Sequence, residues 1–152
     1  QELEGVKRYA ALMSVRYTGR FVLDDDIDED VRLTPIPKFT LQPIVENAIF
    51  HGVLPKDGLG SIFISAERDG DRVRIRVEDD GVGIAAEQSK SMLVNLPDRP
   101  GSGYYHLGLA SIHERLKLHY GEPYGLRIMS SAMGGTVVEI EIPALEVSDN
   151  VG

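Results

Sequence analysis

Apolar residues in Leu41-Gln42-Pro43-Ile44-Val45-Glu46-Asn47-Ala48-Ile49-Phe50-His51-Gly52 recur at Leu41, Ile44, Val45, Ala48 and Ile49. This i, i+3, i+4, i+7, i+8 spacing is the stripe of a helix lying on a core. Asn47 and His51, four apart, stack together off the stripe, with Glu46 on the other flank. Gly52 predicts a left-handed helix stop. An amide beside a carboxylate in mid-helix, where Asn is a poor helix former, points to a purpose beyond folding. A plain solvated face accounts for the same residues equally well.

Upstream, Leu3, Val6, Ala10, Met13 and Tyr17 form a narrow, heptad-like stripe that predicts a helix over 1–17 packed on one neighbour. Arg20 to Leu23 reads as a short strand leading into an acidic turn, Asp24-Asp25-Asp26-Ile27-Asp28-Glu29-Asp30. Its alternating carboxylates imitate a calcium loop, but Glu29 stands where the tight-turn glycine belongs and Pro35 where the closing glutamate belongs. Ile62, Ile64 and Ala66 alternate as in a half-buried strand. Asp69-Gly70 then signals a hairpin into the alternating Arg72-Val73-Arg74-Ile75-Arg76-Val77-Glu78. Residues 84–106 have no sustained period and hold Pro97, Pro100, Gly101 and Gly103, the pattern of a lid or binding loop. Leu109, Ile112, Leu116 and Tyr120 mark a second amphipathic helix ended by Gly121 and Pro123. Strands at Leu126 and Ile128 and at Val138, Ile140 and Ile142 flank the turn Gly134-Gly135. The sum is an α+β, two-layer α/β sandwich with a mixed, mostly antiparallel sheet and helices on one face. The expected divisions are a helix at 1–17, a domain at 18–145 and a loose tail at 146–152.

Composition narrows the partners. The 152 residues carry a formal charge of -8, which argues against nucleic acid because phosphate binding needs clustered Lys and Arg. An anionic ligand therefore needs backbone N–H groups or a metal ion. The absence of cysteine excludes disulfide scaffolds and thiolate metal sites. The chain opens at Gln1 inside a helical pattern, which reads as a piece of a longer protein.

Three features carry candidate chemistry. The first is the helix with Glu46, Asn47 and His51. The second is Asp79-Asp80-Gly81-Val82-Gly83 at a strand end, where two glycines let the backbone approach a ligand and Asp79 can accept from an exocyclic amine. Gly81 to Ala86 also imitates a dinucleotide fingerprint, but that needs a parallel βαβ unit, whereas the strands here read as hairpins. The third is Leu107-Gly108-Leu109 at the start of the second helix, where free N–H groups suit phosphate oxygens. An ordinary glycine-assisted helix start fits those residues as well. No P-loop run exists. His113-Glu114 followed by His119 has the wrong spacing for a zinc pair and predicts two surface histidines. Met129 and Met133 read as packing residues.

In order and spacing these features resemble the N, G1 and G2 boxes of the ATPase fold shared by gyrase, Hsp90, histidine kinases and MutL. Residues 41–52 closely resemble the N box of YesM/LytS-like sensor histidine kinases. So do Arg16-Tyr17, Glu114-Arg115-Leu116 with Tyr120-Gly121, and Gly134-Gly135-Thr136 with Ile142-Pro143. The resemblance implies a Bergerat ATP-binding fold with an ATP lid and the cofactors ATP and Mg²⁺. Asn47 would hold Mg²⁺, His51 would touch the phosphate tail, and Asp79 would accept from the adenine amino group, with Thr136 near it through a shared water. Gly81 and Gly83 would give the base room. The N–H groups of Leu107, Gly108 and Leu109 would cradle phosphates, and Glu46 would be the polarising base.

Departures accompany the resemblance. Phe50 stands where many such kinases carry a phosphate-binding lysine, leaving that charge to the metal or to Lys90 or Arg99. His106 replaces the first glycine of the G2 box, and Glu46 lies a turn later than the carboxylate of gyrase-type ATPases. The Pro-His-Phe phosphoacceptor motif is absent, and none of His51, His106, His113 or His119 has its setting. The resemblance thus implies the ATP-binding catalytic domain of a two-component sensor histidine kinase, a cytoplasmic part of a membrane-anchored homodimer. It would present the γ-phosphate to a histidine on a separate dimerisation domain and act indirectly on a response regulator. A nucleotide-sensing pseudokinase module and a chaperone- or gyrase-like hydrolase are the rival readings.

Overall fold

In a computed structural model, residues 2–32, 34–37, 40–83, 103–132 and 134–144 are described. Lys90 and Arg99, the rest of the expected lid through Ser102, and the expected tail at 146–152 lie outside them. The elements in chain order are α1 (Glu2–Arg16), β1 (Phe21–Ile27), a one-turn α2 (Glu29–Arg32) and α3 (Leu41–Asn47). A π-helical turn (Ala48–Val53), β2 (Gly60–Asp69), β3 (Arg72–Asp79), α4 (Gly103–Tyr120), β4 (Gly125–Ser130) and β5 (Thr136–Pro143) follow.

The strands form one sheet in the order β1-β2-β3-β5-β4. β1 runs parallel to β2, and the remaining pairs are antiparallel. Alternation sorts the two faces. Ile62, Ile64, Val73, Ile75, Val77, Val138, Ile140 and Ile142 point into the core, where they meet Leu41, Ile44, Val45 and Ile49 of the central helical stretch and Leu109, Ile112 and Leu116 of α4. The opposite face of the sheet is laced with charge. Glu141 accepts from Arg72 at 3.0 Å and from Arg74 at 3.1 Å, and Glu139 accepts from Arg76 at 2.7 Å. Both glutamates are buried beneath these arginine side chains. The mixed, mostly antiparallel two-layer sandwich is the expected fold.

Two local expectations are corrected. The acidic stretch is a strand rather than a turn: Asp24, Asp25 and Asp26 belong to β1 and register with Phe63, Ile64 and Ser65 of β2. Asp25 faces α1 and pairs with Lys7 at 3.1 Å, while exposed Asp24 and Asp26 place charge on an edge strand, a position where charge discourages edge-to-edge association. His113 is half-buried rather than a free surface residue. Its Nδ1 accepts the N–H of Leu126 at 2.9 Å, joining α4 to β4. His119 does lie exposed, edge-on to Tyr120.

Candidate functional site

The helical stretch does not stop at Gly52. After Asn47 the hydrogen bonding widens to i→i+5, with Leu54 N–H reaching the Ile49 carbonyl at 2.9 Å, and the backbone stays helical through Val53. Such π turns are rare and concentrate at functional sites. Here the widened turn keeps Ala48, Ile49 and Val53 buried while His51 remains exposed and Asn47 half-buried.

Gly52 is required for close approach, which corrects the left-handed stop read from the sequence. A Cβ there would lie 2.8 Å from Asp79 Cγ. The next strand end closes on the same point. Val82 N–H donates to the Gly52 carbonyl at 3.2 Å, and a Cβ on Gly81 would fall 2.1 Å from that oxygen. Gly83 adopts a φ of +75° beside the Gly134 carbonyl. The G1-type turn and the π turn are therefore joined backbone to backbone.

Asp79 sits at the C-terminal end of β3 on the core side, 4% exposed, and registers with Thr136, which is buried at the start of β5. Its carboxylate accepts the N–H of Gly81 at 2.9 Å and a backbone N–H of Thr136. Burial pushes its pKa up to about 6 from 3.8, against the pull of those two donors, and the charges of Asp80 and Glu78 raise it further. A carboxylate has about four lone-pair sites. Two backbone donors leave acceptor capacity for a ligand N–H.

Asp80 does different work from its neighbour. Its Oδ1 accepts Ser61 N–H at 2.7 Å, and its Oδ2 pairs with Lys56 at 3.3 Å, pinning the turn to β2 and to the loop after the π turn. On α3, Glu46 accepts from Gln42 Nε2 at 3.1 Å. Its charge, after burial itself, raises the phenol pKa of Tyr9 on α1.

The structure thus brings Asn47, His51, Asp79, Gly81, Gly83 and Thr136 to one end of the sheet, through the contact of Gly52 with Asp79. The start of α4 is corrected. The helix begins at Gly103, so the backbone N–H groups of Leu107, Gly108 and Leu109 fall within it and donate to carbonyls four residues earlier. The free donors of a helix belong to its first turn. Among the described residues no group of three or more His, Asp or Glu side chains could hold a metal. A single amide oxygen such as that of Asn47 suits a hard cation that takes its other ligands from water and phosphate. Sequence reading missed Gly52 and Gly135 as packing partners of Asp79. A Cβ on Gly135 would lie 1.9 Å from the Asp79 carbonyl oxygen.

A buried carboxylate at a strand end, walled by glycines, packs against the helical stretch that carries an amide and an imidazole, the arrangement expected of a nucleotide site. Comparison with known proteins agrees: residues 37–146 match the family described as histidine kinase-, DNA gyrase B-, and HSP90-like ATPase. The chain belongs to this family, which implies ATP binding. It is 38% identical over 143 residues to the sensor histidine kinase YpdA of Escherichia coli (strain K12), covering 94% of this chain and 24% of that protein. To the sensor histidine kinase YesM of Bacillus subtilis (strain 168) it is 37% identical, covering 94% and 23%. The chain thus spans about a quarter of the length of these relatives, which carry further regions. In fold it is similar to the nucleotide-free catalytic domain of histidine kinase ThkA, with a TM-score of 0.69 at 18% identity over 94% of this chain and 95% of that one.

Proposed function

We propose that this domain binds ATP with Mg²⁺ and presents the γ-phosphate to a histidine on a separate phosphoacceptor and dimerisation domain of its parent kinase. The parent is a membrane-anchored homodimer with this domain on the cytoplasmic side, and a response regulator receives the phosphoryl group in turn. The observation that carries this reading is the Asp79 carboxylate, held by Gly81 and Thr136 N–H groups against Gly52, in the π turn that bears His51 and directly follows Asn47.

In this reading Asp79 accepts the adenine amino group, with Thr136 beside it, and the glycines at 81 and 83 leave room for the ring. The Asn47 side-chain oxygen holds Mg²⁺, which neutralises phosphate charge when bound. His51 lies along the phosphate tail, and the N–H groups of the first turn of α4 receive phosphate oxygens. Phosphoryl transfer asks chiefly for alignment and charge neutralisation, and the acceptor imidazole is its own nucleophile. Little general-base work falls to the protein. Glu46, hydrogen-bonded to Gln42, orients rather than deprotonates.

The test mixes the domain with the phosphoacceptor fragment of its parent and γ-labelled ATP, with and without Mg²⁺. Metal-dependent appearance of acid-labile label on the fragment is the expected result. Binding of ATP without transfer would instead establish a nucleotide-sensing module. The aromatic Phe50, in place of a phosphate-binding cation, favours that second reading. Turnover independent of any acceptor would indicate a hydrolase, but Pro43 stands where such an enzyme needs its carboxylate.

A further inference from the structure

The π turn is packed on its inner side against the core, but its outer side meets the end of α1. Phe50, 38% exposed on that outer side, meets the ring of Tyr17 edge-on, with centroids 6.1 Å apart and planes at 83°. The Arg16 guanidinium lies over the Tyr17 ring, 5.7 Å from its centroid. Four residues on, the Arg20 guanidinium donates to the carbonyls of Leu54 and Lys56, directly beyond the π turn. Tyr17 and Arg20 act as one block, because Tyr17 N–H still bonds to the Met13 carbonyl at 2.9 Å and Arg20 N–H to the Tyr17 carbonyl at 3.0 Å. The block therefore touches the turn at its middle and holds the chain just past its C-terminal end. Lys56 carries the contact onward to Asp80, next to Asp79.

A π turn is a sparsely populated backbone state that persists when its surroundings over-determine it. Core packing fixes Ile49 and Val53 but not the outward residues. We propose that Tyr17 and Arg20 are positioning residues for the nucleotide site: they hold the π turn in register, so that the placement of Asn47 and His51 depends on the seating of α1. Displacing α1 would free the outward residues of the turn, while Gly52, held by Val82 N–H, and Asp79, anchored on the sheet, stay in place. The inference rests on the reading of Asn47, His51 and Asp79 as nucleotide ligands.

The test compares Tyr17→Leu and Arg20→Gln with the conservative Tyr17→Phe and Arg20→Lys in two measurements. Hydrogen exchange without nucleotide should quicken at the amides of residues 49–56 in the first pair and stay near wild type in the second. Affinity for ATP with Mg²⁺ should fall about tenfold in the first pair, the upper range for losing an aromatic contact, while affinity for adenosine changes less than about twofold. Unchanged exchange and unchanged ATP affinity in both disruptive variants would overturn the proposal. So would equal losses for ATP and adenosine with faster exchange throughout the domain, the pattern of general destabilisation. If the wild-type chain bound no ATP, the nucleotide reading would fail first, and the exchange measurement would still decide the role of Tyr17 and Arg20.

Discussion

The α-carbon of Gly52 packs against the carboxyl group of Asp79 so closely that an added methyl would lie 2.8 Å from Cγ and 2.9 Å from either oxygen. Asp79 cannot turn aside without giving up Gly81 N–H, and Gly52 cannot retreat because its carbonyl accepts Val82 N–H. Gly52→Ala should therefore cost about 1–3 kcal/mol, the usual range for overpacking, and lower ATP affinity at least about tenfold. Thermal unfolding and calorimetric titration check the two effects. Wild-type values for both would mean that the contact relaxes freely and constrains nothing.

Asp79 also predicts a pH dependence with opposite signs for stability and binding. Its folded pKa of about 6 lies above the 3.8 of the free side chain, so between these values the folded chain binds more protons than the unfolded one. This group's contribution favours folding at low pH and is lost as pH rises through about 6. Asp79→Asn should remove that slope from the pH profile of unfolding. ATP affinity should move the other way, falling as pH drops below about 6, because a protonated carboxyl is a poorer acceptor for the adenine amine. Affinity that stays flat from pH 7.5 to 5 would remove Asp79 from the binding site.

Strands and helices with a clean period were legible in the sequence because one face of each is buried. Val73, Ile75 and Val77 alternate, and Leu109, Ile112 and Leu116 share one helix face. What escaped was decided between elements. Gly52 looks the same in sequence whether it ends a helix with a positive φ or admits a neighbour's carboxylate, and only its contact with β3 separates the two. The pairing of Asp79 with Thr136 is a register across 57 positions that no local pattern encodes. Three consecutive carboxylates at Asp24 to Asp26 suppress the strand signal and predict a turn, yet pairing with β2 overrides that preference. His113 found its partner, Leu126 N–H, only after α4 and β4 came together.

Asn47 offers a test of metal dependence separate from base recognition. Asn47→Ala removes the amide oxygen to which the proposed reading gives Mg²⁺, whereas Asp79 and its backbone donors stay intact. Affinity for adenosine should remain within about twofold of wild type. The gain in ATP affinity on adding Mg²⁺ should disappear, a loss of roughly 2 kcal/mol on the scale of a charge-assisted contact. Titrations of ATP with and without Mg²⁺ read this directly. A variant that still gains affinity from Mg²⁺ would place the ion elsewhere.

His113 provides a structural titration whose sign opposes that of Asp79. Burial, reinforced by the charge of Lys117, lowers its pKa below 6.5, and Glu122 and Glu114 offset this only in part. The unfolded chain therefore binds more protons just below pH 6.5. The stabilisation from neutral His113 is complete above that pH and is lost as pH falls through the lowered folded value. Protonation also turns Nδ1 from an acceptor into a donor, so the bond from Leu126 N–H breaks at the seam between α4 and β4. In an Asp79→Asn background, which removes the opposing slope, the unfolding temperature should fall between pH 7 and 5.5. His113→Phe should flatten that fall while lowering stability at pH 7 by about 1–3 kcal/mol, because the Leu126 N–H is left without an acceptor. If the acid slope survives in His113→Phe, the titrating group lies elsewhere and the seam does not depend on the neutral imidazole.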